Sequence, residues 1–92
     1  MEKRIGIIAL VVIEKNSVPQ LNTLFTEYSD IVLGRQGLPL KDKGIHVISL
    51  IVEGTTDQIG ALTGKAGRLP GVQVKSVLTK LRGNDNELPG LE

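Results

Sequence analysis

Gly44–Leu78, GIHVISLIVEGTTDQIGALTGKAGRLPGVQVKSVL, reads as strand, helix, strand, and that reading decides the fold. Ile45 to Val52 is short and rich in β-branched residues, which favours a strand over a helix. Glu53-Gly54 interrupts it. Thr55 then stands three residues before Gln58, the spacing of a capping box, in which each side chain satisfies a backbone N–H of the first helical turn. Asp57 suits the positive end of the helix dipole. Ile59, Leu62, Ala66 and Leu69 follow as one apolar helical stripe. Gly67 and Pro70-Gly71 end the helix. Val72, Val74, Ser76 and Leu78 then alternate with more polar neighbours, as in a strand with one apolar face.

Working outward, the first half repeats the plan. Arg4 to Glu14, RIGIIALVVIE, is a strand whose odd positions Ile5, Ile7, Ala9, Val11 and Ile13 are apolar, as are Ile8, Leu10 and Val12 between them. Such a strand asks to be covered on both faces. Ser17 stands three before Gln20, a second capping-box spacing, with Pro19 in the first turn. Val18, Leu21, Leu24, Phe25 and Tyr28 form the helical stripe. Ile31-Val32-Leu33 leads into Gly34-Arg35-Gln36-Gly37, and Leu38 to Gly44 reads as the hairpin or loop joining the halves. Residues 1–80 are expected to form one domain. Residues 81–92, crowded with Gly, Asn, Asp and Pro, read as a C-terminal tail.

The order β-α-β-β-α-β is that of the ferredoxin-like split βαβ. The expected fold is therefore α+β, a four-stranded antiparallel sheet with two helices on one face. Two helices cover one face only, yet Ile45–Val52 is also apolar on both sides, with Val47 and Ile51 opposite Ile48, Leu50 and Val52. The simplest cover in a chain of 92 residues is another copy, so a homo-oligomer, dimer or tetramer, is expected through sheet faces or edges.

Composition narrows function by exclusion. There is no cysteine, hence no disulfide, thiolate nucleophile or zinc-thiolate site. Eleven basic and ten acidic residues are scattered along the chain, and Phe25 and Tyr28 are the only aromatics, so nucleic-acid binding gains little from charge or stacking. Lys3, Arg4, Lys75, Lys80 and Arg82 are the only motive for a DNA-binding reading. The apolar run Ile5 to Ile13 is far too short to span a membrane, and a cytoplasmic protein is expected.

No reaction is assembled by the residues present. Glu14, Glu27, Asp30, Glu53 and Asp57 form no acid–base pair in sequence and read as charges at element ends, so no enzyme and no cofactor are expected. Gly60 to Ala66, GALTGKA, has three residues between its glycines and alanine after Lys65, where a phosphate loop has four and Ser or Thr. Close helix packing through Gly60 and Gly64 is the expected role. His46, the only histidine, lies in phase with Ile48, Leu50 and Val52. It is a weak metal candidate for want of partners, and no metal site is expected. Asn16, Ser17 and Val18 join a buried strand to a helix N-terminus, where free N–H groups suit an anion or carboxylate; they are the candidate ligand-binding residues beside the alternative of an ordinary helix cap.

Three segments carry a family resemblance. Gly44–Leu78 resembles the C-terminal regulatory domain of nickel-responsive repressors. Together with RIGIIALVVIEK at residues 4–15, as far as Lys15, and SDIVLGRQGLP at residues 29–39, about residues 3–80 resemble small stand-alone regulators of the iron-only hydrogenase system, which are ACT-like domains. The resemblance implies a non-catalytic oligomeric regulator binding a small-molecule effector or a protein partner at subunit interfaces. It does not carry over the repressors' nickel site, which needs several histidines and a cysteine. Against amino-acid-binding ACT domains, Asn16 and Pro19 correspond to the turn after the first strand. Gln20 replaces the glycine that approaches the ligand. A ligand-free assembly or scaffold module is the alternative function.

Overall fold

The computed structural model describes residues 2–82. In chain order the elements are β1 (Arg4–Val12), α1 (Val18–Glu27), β2 (Val32–Leu40), β3 (Ile45–Gly54), α2 (Thr56–Gly67) and β4 (Val72–Arg82). Short 3₁₀ turns at Lys15–Ser17 and Lys41–Lys43 precede α1 and β3. The strands form one antiparallel sheet in the order β2-β3-β1-β4. β1 and β2 therefore run parallel with β3 between them, and β3 and β4 run parallel with β1 between them. This is the expected split βαβ, α+β architecture.

The core lies between one sheet face and the two helices. Ile8, Leu10 and Val12 of β1 and Ile48, Leu50 and Val52 of β3 are buried against Leu21, Leu24 and Phe25 of α1 and Ile59, Leu62 and Ala66 of α2. These are the apolar stripes read from helical spacing, now in one cluster. Leu69 and Val74 pack at its margin.

β2 is longer than its sequence suggests, and the connection after it is correspondingly shorter. Leu38, Pro39 and Leu40 are strand residues opposite Val47, His46 and Ile45, leaving only Lys41–Gly44 to turn the chain. β2 is an edge strand, where a proline's missing N–H costs no ladder hydrogen bond. A register shift between Val32 and Gly34 changes the face on which the following residues lie. β4 likewise runs on to Arg82, two residues into the segment read as tail. Residues 83–92 of that segment lie outside the described residues.

The two helix starts differ. At α2 the expected capping box is formed: Thr55 Oγ1 accepts from Gln58 N–H at 3.1 Å, and Gln58 Oε1 accepts from Thr55 N–H at 2.9 Å. At α1 the box is absent. Ser17 is the N-cap residue but caps nothing with its side chain. Its hydroxyl is buried and donates to the Pro70 carbonyl at 2.6 Å, 53 residues along the chain. The stitch is reinforced by Ile13 N–H donating to the Gly71 carbonyl at 2.7 Å. Gly71 has φ of +68°, and a Cβ there would lie 2.6 Å from Glu14 Cβ, so this turn needs glycine twice over. Gly60 and Gly64 reverse their expected role. Both are exposed, with open space where a Cβ would sit, so they mediate no close packing.

Candidate functional site

Three regions of this frame are candidates: the uncovered sheet face, a groove between the helices, and a cavity at one end of the sheet.

The uncovered face carries the odd-numbered positions of β1 and β3. Strand register arranges it in belts. Val77, Ile7 and Ile51 stand side by side across β4, β1 and β3; Val11, Val47 and Leu38 do so across β1, β3 and β2. Between them runs a belt of small and polar residues, Lys75, Ala9, Ser49 and Gln36. Ile7 is 47% exposed, Ile51 48%, Leu38 57% and Val77 63%. Large branched side chains in register at this exposure form two apolar belts, not scattered surface residues.

The groove between α1 and α2 is lined by Gln20, Thr23, Leu24, Glu27, Lys65 and Leu69, with a volume of about 320 Å³. Its cation is already engaged. Lys65 Nζ stands 5.1 Å from the centre of the Tyr28 ring. Tyr28, by side-chain hydrogen bonding and then by charge, raises the Lys65 pKa above the ordinary lysine value. Glu27 lines the same groove. Arg35 on β2 is engaged in the same way: it donates to Asn22 Oδ1 at 2.8 Å and lies 5.0 Å over the Phe25 ring. It ties the edge strand to α1.

The third region is a cavity of about 450 Å³ lined by Lys15, Pro39, Leu40, Lys41, Gly44, Ile45 and His46. It lies where the β2–β3 hairpin meets the turn after β1, because Val12 pairs with His46 and His46 with Pro39. His46 is half-buried there. Among the described residues no group of three or more His, Asp or Glu side chains comes together, around His46 or elsewhere.

The three candidate ligand residues of the α1 start do not act as a unit. Ser17 is buried and committed to Pro70. Val18 is half-buried against the core. Asn16 is exposed, and its N–H donates to Glu14 Oε1 at 3.4 Å. It is their neighbour Lys15 that lines a cavity, together with Lys41. Sequence reading singled out neither lysine as a candidate. The available signal was that each stands at a chain reversal beside a strand end.

The matching family model, TM1266-like, is described as "Iron-only hydrogenase system regulator, putative" and matches residues 4–76. The chain belongs to that family. Of solved structures, the uncharacterized protein TM1266 from Thermotoga maritima is 38% identical, with a TM-score of 0.82, covering 86% of this chain and 100% of its own. The C-terminal domain of the MgtC protein from Mycobacterium tuberculosis shares the fold at a TM-score of 0.66 and 11% identity, over 89% of this chain and 94% of that one. An unknown protein from Galdieria sulphuraria does so at 0.59 and 14%, over 87% of this chain and 47% of its own. No curated protein matches the chain. Among the described residues no helix is long and apolar enough to cross a membrane.

Proposed function

We propose that this chain is a non-catalytic regulatory domain of the iron-only hydrogenase system that works as an oligomer of its own copies, a small effector favouring one subunit arrangement over another. The observation that carries the reading is the uncovered sheet face, with its two apolar belts. Four strands about 4.8 Å apart and about 30 Å long offer roughly 600 Å² in plan. A standard stable interface takes about 800 Å² of accessible surface from each partner, so one such face, with its side-chain relief, is of the right size for a second copy. A two-fold pairing needs a surface complementary to itself, and parallel apolar belts flanking a belt of small and polar residues supply one. Family membership supports the regulatory role. The absence of a nucleophile–base pair in the sequence supports a role by binding.

Native mass spectrometry of freshly purified protein tests this reading. A dimer or tetramer carrying a defined extra mass is the expected result. An empty oligomer would favour a scaffold without effector, and a bare monomer would contradict the reading.

A further inference from the structure

We infer that the cavity at the β2–β3 hairpin is a binding site for a small organic anion, with a carboxylate or phosphate head and a short apolar body. The wall contains two lysines and the only histidine of the chain, Lys15, Lys41 and His46, and no acidic residue. Their side chains have no hydrogen bond or ion pair with another of the described residues. The adjacent carboxylates in sequence are not in the wall. Glu14 accepts from Asn16 N–H instead, and Asp42 lies on the turn between Lys41 and Lys43. The inter-helix groove differs on each count, since Lys65 is engaged by Tyr28 and Glu27 lines the same wall.

Unanswered positive charge in a concave wall attracts an anion. Two ammonium groups from the turns after β1 and β2, and an imidazole N–H from strand β3, are donors suited to carboxylate or phosphate oxygens. The remaining wall is apolar: Pro39, Leu40 and Ile45. That composition, mostly apolar with a few convergent polar groups, is typical of small-molecule sites, which run from about 300 to 1,000 Å³. The apolar part rejects a bare ion as the best fit and selects an anion with a body.

The inference gives the effector of the proposed regulator a chemical class, and in that sense rests on that reading. The site also spans β3 and the end of β2, whose opposite rows form part of the open face. An anion that draws Lys15 and Lys41 together would fix the hairpin against the turn after β1, and so bias the surface on which copies meet.

The test is an NMR titration of the full chain with inorganic phosphate and then with phenyl phosphate, at ionic strength held constant with sodium chloride. Shifts confined to Lys15, Leu40, Lys41, Ile45 and the His46 ring are expected, with phenyl phosphate binding at least about fivefold more tightly. The double variant Lys15→Gln, Lys41→Gln should weaken binding by about tenfold or more while its remaining spectrum stays native. Diffuse shifts over all lysines, equal affinity for both anions, or unchanged affinity in the double variant would overturn the site. Assembly mass measured on the same samples separates the two claims. Localised binding with no change in mass upholds the site and counts against effector-controlled assembly; a stable oligomer without localised shifts overturns the site and leaves only the self-assembly of the sheet face standing.

Discussion

The two faces of the sheet are written in nearly the same residues and meet opposite fates. Leu50 and Ile51 are consecutive on β3. Leu50 points to the helices and is 0% exposed, whereas Ile51 points away and is 48% exposed. Ile7 and Ile8 on β1 divide likewise, at 47% and 1%. The alternation of a strand sends neighbours to opposite faces, so a strand apolar at every position supplies material for two cores. The described residues form two α-helices, and both serve one face. The difference teaches that apolar content sets how many surfaces want cover, while the count of remaining elements sets how many obtain it from within.

Breaking the covered face should have the largest effect. Leu50→Ala removes a fully buried side chain at the centre of the cluster and is expected to lower unfolding free energy by about 2–5 kcal/mol, read from the urea midpoint. The same truncation one residue on, Ile51→Ala, should cost less than 1 kcal/mol or so in dilute monomer. Equal losses at both positions would mean that the faces are not distinct.

Next comes the attachment of the cover. Gly71 lies in the turn between α2 and β4 and touches Glu14 after β1. Gly71→Ala must adopt positive φ and displace the Glu14 backbone, at 2.8 Å from the added carbon. A loss of about 2–3 kcal/mol is expected from strain of this kind, again from the urea midpoint. The smallest effect has the opposite sign. Gly64→Ala, on the exposed side of α2 with open space at the new methyl group, should stabilise by about 0.5–1 kcal/mol. It strengthens the cover without touching either face, and thermal unfolding would show it as a rise in Tm.

The contrast between faces was legible in the sequence because it depends on residue type and period alone. The stripes Leu21, Leu24, Phe25 and Ile59, Leu62, Ala66 were legible for the same reason. Features that depend on distant partners were not. Ser17-x-x-Gln20 has the spacing of Thr55-x-x-Gln58, but only the second forms a capping box, because a carbonyl 53 residues away claims the Ser17 hydroxyl. The far end of β2 was hidden because Leu38, Pro39 and Leu40 fall in the segment read as hairpin or loop; pairing with β3 on an outer edge overrides that local preference. Gly60 and Gly64 at a spacing of four suggested helix contact, yet the apolar stripe beside them had already fixed which side faces inward. The cavity was least legible of all. Lys15, Lys41 and His46 lie in three different segments, and only strand register brings them to one wall.

The central claim, that the second face is covered by another copy, is tested most directly by sedimentation equilibrium of the wild type beside Ile51→Asp. A carboxylate there sits in solvent in the monomer but would be buried unpaired in a face-to-face assembly. The account predicts a dimer or tetramer for the wild type and a folded monomer for the variant, with the circular dichroism spectrum unchanged. A wild-type monomer, or a variant that assembles as tightly as the wild type, would contradict it.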